Sequence, residues 1–153
     1  MTTFLKKITF YFAFAFLFSG ISINWTFAQD KKPLKIIFTA LKDTKAVIMI
    51  GVYRKQDGFP GNEKGAFKGY TISPDGKNSV NFSITDLEYG EYAIAIYQDK
   101  NADKKLNTGM FGIPKEPYAF SNNFKPKFSG PKYDDCKFTY SADKTELSIA
   151  MLD

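Results

Sequence analysis

An alternation of apolar and polar residues runs through most of the chain after Leu34 and constrains its fold class. The segment EYAIAIYQ (91–98) alternates strictly, with Tyr and Ile side chains on one face and alanines on the other. A period of two is that of a strand, because successive side chains of a strand point to opposite faces. No period of 3.6 residues lasts for ten residues, so the sequence predicts little or no helix.

Seven segments with this pattern are rich in β-branched and aromatic residues: 34–41, 46–54, 65–73, 79–84, 91–98, 136–140 and 146–152. Turn-forming residues separate them. We therefore predict a first hairpin from 34–41 and 46–54, and a second from 65–73 and 79–84. Strands that follow one another without intervening helices favour an antiparallel sandwich over a parallel sheet.

One local motif narrows the type of sandwich. The run Leu87-x-x-Gly90-x-Tyr92 is similar to the tyrosine corner of immunoglobulin-like sandwiches, in which the Tyr hydroxyl bonds to the backbone upstream. The disulfide of antibody domains has no counterpart, because Cys136 is the single Cys. Their buried Trp has none either, because the single Trp, Trp25, lies among the first 28 residues, ahead of the predicted strands. The predicted fold is an all-β antiparallel sandwich of about seven strands, immunoglobulin-like or transthyretin-like, without a disulfide.

The first 28 residues have the pattern of a secretory signal peptide. Lys6 and Lys7 precede an apolar run, and Thr26-Phe27-Ala28 offers small residues before a cleavage point. The run is shorter than the roughly 20 residues that a membrane-spanning helix needs. We expect residues 1–28 to be cleaved and residues 29–153 to form one domain, periplasmic or secreted, with no transmembrane segment.

The composition excludes several classes of function. The chain has no His, so Ser-His and Cys-His nucleophile pairs and most catalytic zinc sites cannot be built. Cys136 has no partner for an internal disulfide and no His to activate its thiol. Residues 29–153 keep 19 of the 21 basic residues and all 16 acidic ones, a net charge of +3 without a basic block. No nucleic-acid partner is expected from such a distribution.

Residues 99–107, DKNADKKLN, place oxygen atoms at alternate positions. Loops that wrap one calcium ion take side-chain oxygens at positions 1, 3, 5 and 9 and a main-chain carbonyl at position 7. The candidate ligands are the side chains of Asp99, Asn101, Asp103 and Asn107 and the carbonyl of Lys105.

Other features of this loop oppose a cation. Lys104 stands where glycine usually makes the sharp turn, and Met110 stands where a bidentate Glu usually completes the site. Three lysines beside two carboxylates also repel a divalent ion. The other interpretation is a loop of Asx turns, in which Asp and Asn side chains bond the backbone. Calcium, if bound, is expected at the weak affinity of about 10⁻⁴ to 10⁻³ M.

The segment 110–133 combines aromatic residues with four prolines. Prolines fix φ and favour extended neighbours, so this segment is expected to be stiff. A stiff loop with aromatic anchors suits ligand binding, because little entropy is lost on contact. The same rings would equally suit the covering of an open edge or end of a small sandwich. The ligand-contact candidates are Phe111, Glu116, Tyr118, Phe120 and Tyr133.

Several motifs together resemble one bacterial family: Gly90-x-Tyr92-Ala93, Asp99-x-Asn101-x-Asp103-x-Lys105-Leu106-Asn107, Gly112-Ile113-Pro114-x-Glu116 and Tyr118-x-Phe120-Ser121-Asn122-Asn123. With them the chain resembles the family catalogued as domain of unknown function 2141. The resemblance implies a small exported β-sandwich of Gram-negative bacteria with no established activity. It also implies a weakened metal loop, because Ala102 and Lys104 stand where the family commonly carries glycine, and Asn107 where a carboxylate is common.

Three classes of function follow from these patterns. The first is a non-catalytic exported module that binds a small molecule, a polymer or a protein of the envelope through the 99–133 loops, with calcium as its one candidate cofactor. The second is a structural or assembly component, because strand edges can recruit partners. The third, disfavoured because loop carboxylates with turn spacing are usually structural, is a hydrolase with paired carboxylates. Its acidic set would be Asp99, Asp103, Glu116, Asp134 and Asp135.

Overall fold

The computed structural model describes residues 31–61, 65–127 and 129–152. The predicted signal peptide, residues 1–28, lies outside the described residues. Lys31–Asp153 form one compact unit with an apolar core of its own.

Two sheets make up this unit, and their eight strands, in chain order, are β1 (Leu34–Thr39), β2 (Val47–Tyr53), β3 (Lys68–Ile72), β4 (Val80–Ile84), β5 (Gly90–Asp99), β6 (Tyr118–Phe120), β7 (Phe138–Tyr140) and β8 (Glu146–Ala150). The three-stranded sheet has the order β4-β1-β8. The five-stranded sheet has the order β3-β2-β5-β6, with β7 also paired to β5. Helical pieces among the described residues include the four-residue helix α1 (Tyr133–Cys136) and the 3-10 turns Met110–Gly112 and Ser121–Asn123.

The predicted all-β class is confirmed, with one parallel pair in a largely antiparallel structure. β1 and β8 run parallel, with Ile36 opposite Leu147. Parallel neighbours cannot be joined by a tight hairpin, and here most of the chain lies between the two strands. The strand beyond the seven predicted is β6, which lies in the proline-containing segment after residues 99–107, here called the Asp99 loop.

The core between the sheets is built from alternate strand residues, as a period of two predicts. Its fully buried members include Leu34, Ile36, Phe38, Ile48, Val52, Ile84, Tyr92, Ile94, Tyr140 and Ile149. β5 contributes to both sides of its sheet. Its alanines face a second apolar cluster on the outer side, which consists of Tyr53, Phe59, Ala93, Ala95, Phe120, Tyr133 and Cys136.

Both predicted hairpins are wrong. β1 and β2 lie in different sheets, and so do β3 and β4. The turn 74–77 itself forms, with left-handed backbone at Asp75 and Gly76 and a bond from the Lys77 amide to the Pro74 carbonyl. The chain then continues into the opposite sheet, because a turn signal fixes where the chain reverses and leaves open which strand it joins.

Hydrogen bonds hold two of the connections that cross between the sheets, the one from β1 to β2 and the one from β3 to β4. The Gly76 amide donates to the Thr44 carbonyl at 3.0 Å, which joins one connection to the other. The buried side chain of Gln98 accepts the Lys42 amide at 2.8 Å and donates to the Asp43 carbonyl. The Gln98 side chain thus supplies hydrogen-bond partners to main-chain groups of a turn that lies outside both sheets.

The predicted tyrosine corner is confirmed. Tyr92 is buried, and its hydroxyl donates to the Glu88 carbonyl at 2.8 Å. The same hydroxyl accepts a bond from Arg54 at 2.9 Å, and the Arg54 guanidinium lies 3.7 Å from the centre of the Phe67 ring. One hydroxyl therefore ties the start of β5 to the end of β2.

We predict that Tyr92→Phe lowers the free energy of unfolding by about 1 kcal/mol or more, because the Glu88 carbonyl and Arg54 both lose a partner at a buried site. Urea denaturation of residues 31–153 measures this change. Tyr89→Phe is the control, since the Tyr89 hydroxyl makes a longer, exposed bond with the Lys32 amide at 3.3 Å. Equal midpoints for wild type and Tyr92→Phe would contradict the prediction.

Candidate functional site

The candidate calcium loop begins at a buried carboxylate. Asp99 ends β5 and is 3% exposed. Its Oδ2 accepts the Lys104 amide at 2.8 Å, whereas its Oδ1 is buried with no hydrogen-bond partner. Ala102 and Lys104 have φ values of 61° and 60°, so both occupy the left-handed conformation that glycine adopts with least strain. The loop therefore makes its sharp turn even though glycine is lacking at these positions.

A second buried carboxylate closes the base of the same loop. Glu116, 5% exposed, accepts the Lys100 amide at 2.9 Å through Oε1 and the Asn107 amide at 2.9 Å through Oε2. Both ends of the loop are thereby joined by one side chain. The Glu116 carboxylate is already committed to the main chain, so it does not supply a free ligand to the loop.

Three of the predicted ligands form one exposed network. Asn101 donates to Asp103 at 3.0 Å and to Asn107 at 2.9 Å, and Asn107 donates to Asp103 at 2.9 Å. The bond from Asn107 is the largest cause of a lowered pKa at Asp103. The Lys105 amide also donates to Asp103, at 2.9 Å. Among the described residues, no group of three or more His, Cys, Asp or Glu side chains is placed to hold a metal.

Beyond its closed base the loop continues as a short hairpin, residues 107–115, which we call the tongue. The Lys115 amide donates to the Asn107 carbonyl at 2.8 Å, and the Gly109 amide donates to the Ile113 carbonyl at 2.7 Å. The apolar side chains at its tip face solvent: Met110 is 77% exposed, Phe111 92% and Ile113 64%.

The outer face of the five-stranded sheet carries a groove of about 650 Å³. Its floor is a row of small residues across three strands, in which Gly51 pairs with Gly69 on one side and with Ala95 on the other. A Cβ atom on Gly51 would approach the Tyr53 ring to 2.8 Å, so this ring lies over the floor. The groove exists because one row of the sheet lacks large side chains.

Two sides of this groove come from different parts of the chain. Met49, Tyr97 and Tyr118 form a neighbouring row on the sheet, and Pro60 and Phe67 lie at another border. The Asp99 loop supplies a wall with the side chains of Lys104, Lys105 and Leu106, which Thr108 continues. The loop and the groove are therefore parts of one surface.

The structure distributes the predicted ligand contacts over separate places. Tyr118 and Phe120 line the groove, Phe111 lies at the tip of the tongue, and Glu116 lies at the base of the loop. Tyr133 is buried in the outer apolar cluster, 6.2 Å from the Phe59 ring. The aromatic residues thus divide between the two predicted roles, with Tyr133 covering the sheet and Tyr118 facing the groove.

The acidic set of the predicted hydrolase is divided as well. Lys137 binds Asp134 at 3.1 Å and Glu91 at 3.4 Å, at the opposite end of β5 from Asp99. Asp134 thus shares Lys137 with Glu91, and eight residue steps along β5, about 26 Å, lead from Glu91 to Asp99. Paired catalytic carboxylates lie about 5 to 9.5 Å apart. Asp135 instead accepts the Lys132 amide at the start of α1.

A polar cluster that sequence reasoning missed holds the sheets together. Buried Ser121 accepts the Ile94 amide at 2.8 Å and donates to the Cys136 carbonyl at 2.6 Å. Asn123 donates to the Ser148 carbonyl and accepts the Ala150 amide, and so covers the free edge of β8. The sequence feature that could have indicated this cluster is the pair Asn122-Asn123, because Asn tolerates the left-handed φ that both residues adopt.

Cys136 lies in α1 rather than in a strand, and it is fully buried. Burial raises the pKa of its thiol to about 12. A thiol that stays protonated at neutral pH is a poor nucleophile, and no catalytic role is assigned to it.

A model of the family described as "Uncharacterized protein conserved in bacteria (DUF2141)" matches residues 36–148. The chain belongs to this family. The match runs from β1 into β8 and includes the Asp99 loop, the tongue and the groove. No curated protein and no solved structure matches the chain. The described part of the chain contains no helix with the length and apolar character needed to cross a membrane.

We predict that Glu116→Ala lowers the free energy of unfolding by about 1 to 3 kcal/mol, because two part-buried amides lose their acceptor. Urea denaturation measures the loss. Glu146→Ala is the matched control, since it removes an exposed ion pair with Lys35 and exposed pairs contribute about 0 to 1 kcal/mol. If both variants lose the same stability, Glu116 does not close the loop in the way described.

Proposed function

We propose that the chain is an exported, non-catalytic binding module of the cell envelope that takes a ligand in the groove of the five-stranded sheet. The observation that carries the proposal is the groove itself. Its volume of about 650 Å³ falls within the range of about 300 to 1,000 Å³ that is usual for ligand sites. Export is inferred from the pattern of residues 1–28.

The lining of the groove favours a ligand with a flat apolar face and polar edges. The floor is open at Gly69, where a Cβ atom would meet nothing closer than the Ile50 oxygen at 3.8 Å, so a ring can approach the sheet there. The Tyr97 and Tyr118 side chains border it, and aromatic side chains contribute large contact areas at low entropic cost. Exposed Lys104 and Lys105 stand on the loop side, where they favour a ligand with acidic or hydroxyl groups at that end.

A groove-filling variant tests this proposal. Gly69→Trp places a large ring on the floor, where a Cβ atom meets nothing closer than the Ile50 oxygen at 3.8 Å. Gly130→Trp is the control, because a Cβ atom there meets nothing within 4 Å. Each protein is purified from the envelope of its native host and studied by native mass spectrometry.

We expect the wild type and Gly130→Trp to carry a bound molecule that Gly69→Trp lacks. A wild type without any bound molecule, or the same molecule retained by Gly69→Trp, would exclude the groove as the binding site.

Calcium is the second part of the proposal. An unpartnered carboxylate oxygen that is almost fully buried is costly, and Asp99 Oδ1 is such an atom within the turn that Lys104 closes. A calcium ion would satisfy it. Rotation of the Asn101 and Asn107 amides would turn their oxygens toward the ion, at the cost of their present bonds. A site with two carboxylates is expected to bind calcium weakly, with a dissociation constant of about 10⁻⁴ to 10⁻³ M.

We predict that calcium raises the melting temperature of residues 31–153, while sodium at equal ionic strength does not. At 100 times its dissociation constant a ligand adds about 2.7 kcal/mol of stability, and the expected affinity places this at tens of millimolar calcium, to an order of magnitude. Differential scanning calorimetry measures the rise. The double variant Asp99→Asn with Asp103→Asn should lose it, because both anionic ligands become neutral.

A matched double variant, Asp57→Asn with Asp143→Asn, removes two exposed carboxylates elsewhere and should keep the calcium response. If calcium raises the melting temperature of the wild type no more than sodium does, the loop is a set of Asx turns without a cation site. That result would leave the groove proposal standing, because the groove experiment uses no calcium.

A further inference from the structure

We propose that the tongue is a membrane-docking element that inserts its tip into the interfacial region of an anionic lipid bilayer. Met110, Phe111 and Ile113 are among the large apolar side chains most exposed on the described surface. They lie within four consecutive residues. Contiguous exposed apolar groups mark interaction sites, whereas single ones are ordinary.

Backbone hydrogen bonds within the tongue hold the tip in its exposed position. The Gly109 amide bonds the Ile113 carbonyl, and the Gly112 amide bonds the Gly109 carbonyl at 3.3 Å. Phe111 adopts a left-handed φ of 65°, which is uncommon for an aromatic residue. A tip kept outward by its own backbone loses little further freedom when it meets an apolar phase.

The length of the tongue matches the depth of an interface. Three residues separate the base at Asn107 from the tip at Met110, and a strand rises about 3.3 Å per residue, so the tip stands about 10 Å beyond the base. Interfacial elements bury their apolar groups about 5 to 10 Å into the boundary between head groups and acyl chains.

The charges around the tongue favour anionic head groups. Between residues 100 and 115 the exposed charged side chains are Lys100, Lys104, Lys105, Lys115 and Asp103. The two other carboxylates of the loop, Asp99 and Glu116, are buried and bonded to amides. Each Lys near an anionic surface strengthens binding by about fivefold.

Lys115 has the geometry of a snorkelling side chain. Its Cε atom would lie 3.3 Å from a Cβ atom on Gly109, so its aliphatic stem follows the tongue. Long cationic side chains commonly cover an apolar surface with the stem while the ammonium group stays at the polar interface.

A lipid surface fits this shape better than a protein pocket does. The exposed apolar residues face solvent over most of their area, with Phe111 at 92%. Four solvent-facing lysines, at 100, 104, 105 and 115, lie in the same stretch of chain. A fluid interface can surround a convex apolar tip and accept charges at its rim, without a preformed cavity of matching shape.

The experiment uses residues 31–153, which form a compact unit with their own core. Vesicles of phosphatidylglycerol and phosphatidylethanolamine are compared with vesicles of phosphatidylcholine alone, in chelator, so that calcium bridging plays no part. Trp25 is the single Trp of the chain, so Phe111→Trp gives this segment one indole at the tip. We expect its emission to shift to shorter wavelength with the anionic vesicles only.

Sedimentation with vesicles measures the affinity of each variant. Phe111→Ser should weaken binding by about tenfold to a hundredfold, which is the loss of a buried Phe side chain converted to an equilibrium constant. Lys115→Glu should weaken binding, while Lys144→Glu, at the far end of the sandwich, should not.

Two outcomes would overturn the proposal. One is a wild type that does not sediment with anionic vesicles. The other is a Phe111→Ser variant that sediments as the wild type does, since binding would then be electrostatic without insertion. Circular dichroism should be unchanged in Phe111→Ser, because the ring supports nothing in the fold, and this keeps the second outcome decisive. The test involves neither the groove nor calcium.

Discussion

Burial of β5 on both faces is the constraint on which the rest of the structure depends. This strand pairs with β2, β6 and β7, faces the main core with Tyr92, Ile94 and Ile96, and faces the outer cluster with Ala93 and Ala95. Large residues fill the space between the sheets, and small ones let α1 and its neighbours approach the outer face. A polar side chain in place of one of these Ile or Ala residues would leave an apolar cluster incomplete.

A different set of hydrogen-bonding side chains fixes each end of β5. At the start, the Tyr92 hydroxyl joins the Glu88 carbonyl and Arg54. At the end, Gln98 bonds the crossing turn, and Asp99 and Glu116 bond amides of the following loop. The side chains of Tyr92, Gln98, Asp99 and Glu116 are buried, and a buried polar group stabilises only when it is paired. The strand end thereby becomes a rigid base for an exposed loop.

The loop that leaves this base serves two surfaces. Its first part, through Lys104 and Lys105, walls the groove, and its second part forms the tongue with an apolar tip. Since Glu116 bonds both Lys100 and Asn107, movement at the groove wall and movement at the base of the tongue share one anchor.

The sequence by itself determined the all-β class, the two faces of β5, the tyrosine corner and the family. All of these depend on residues close together in the chain, because period, turn chemistry and side-chain spacing are local properties. Tertiary structure alone decided which strands share a sheet, and both predicted hairpins failed for that reason. It also decided that Tyr133 covers the sheet while Phe111 faces solvent, although the two lie in the same aromatic segment. Burial depends on contacts between residues far apart in sequence, as between Tyr133 and Phe59, and local pattern does not encode those contacts.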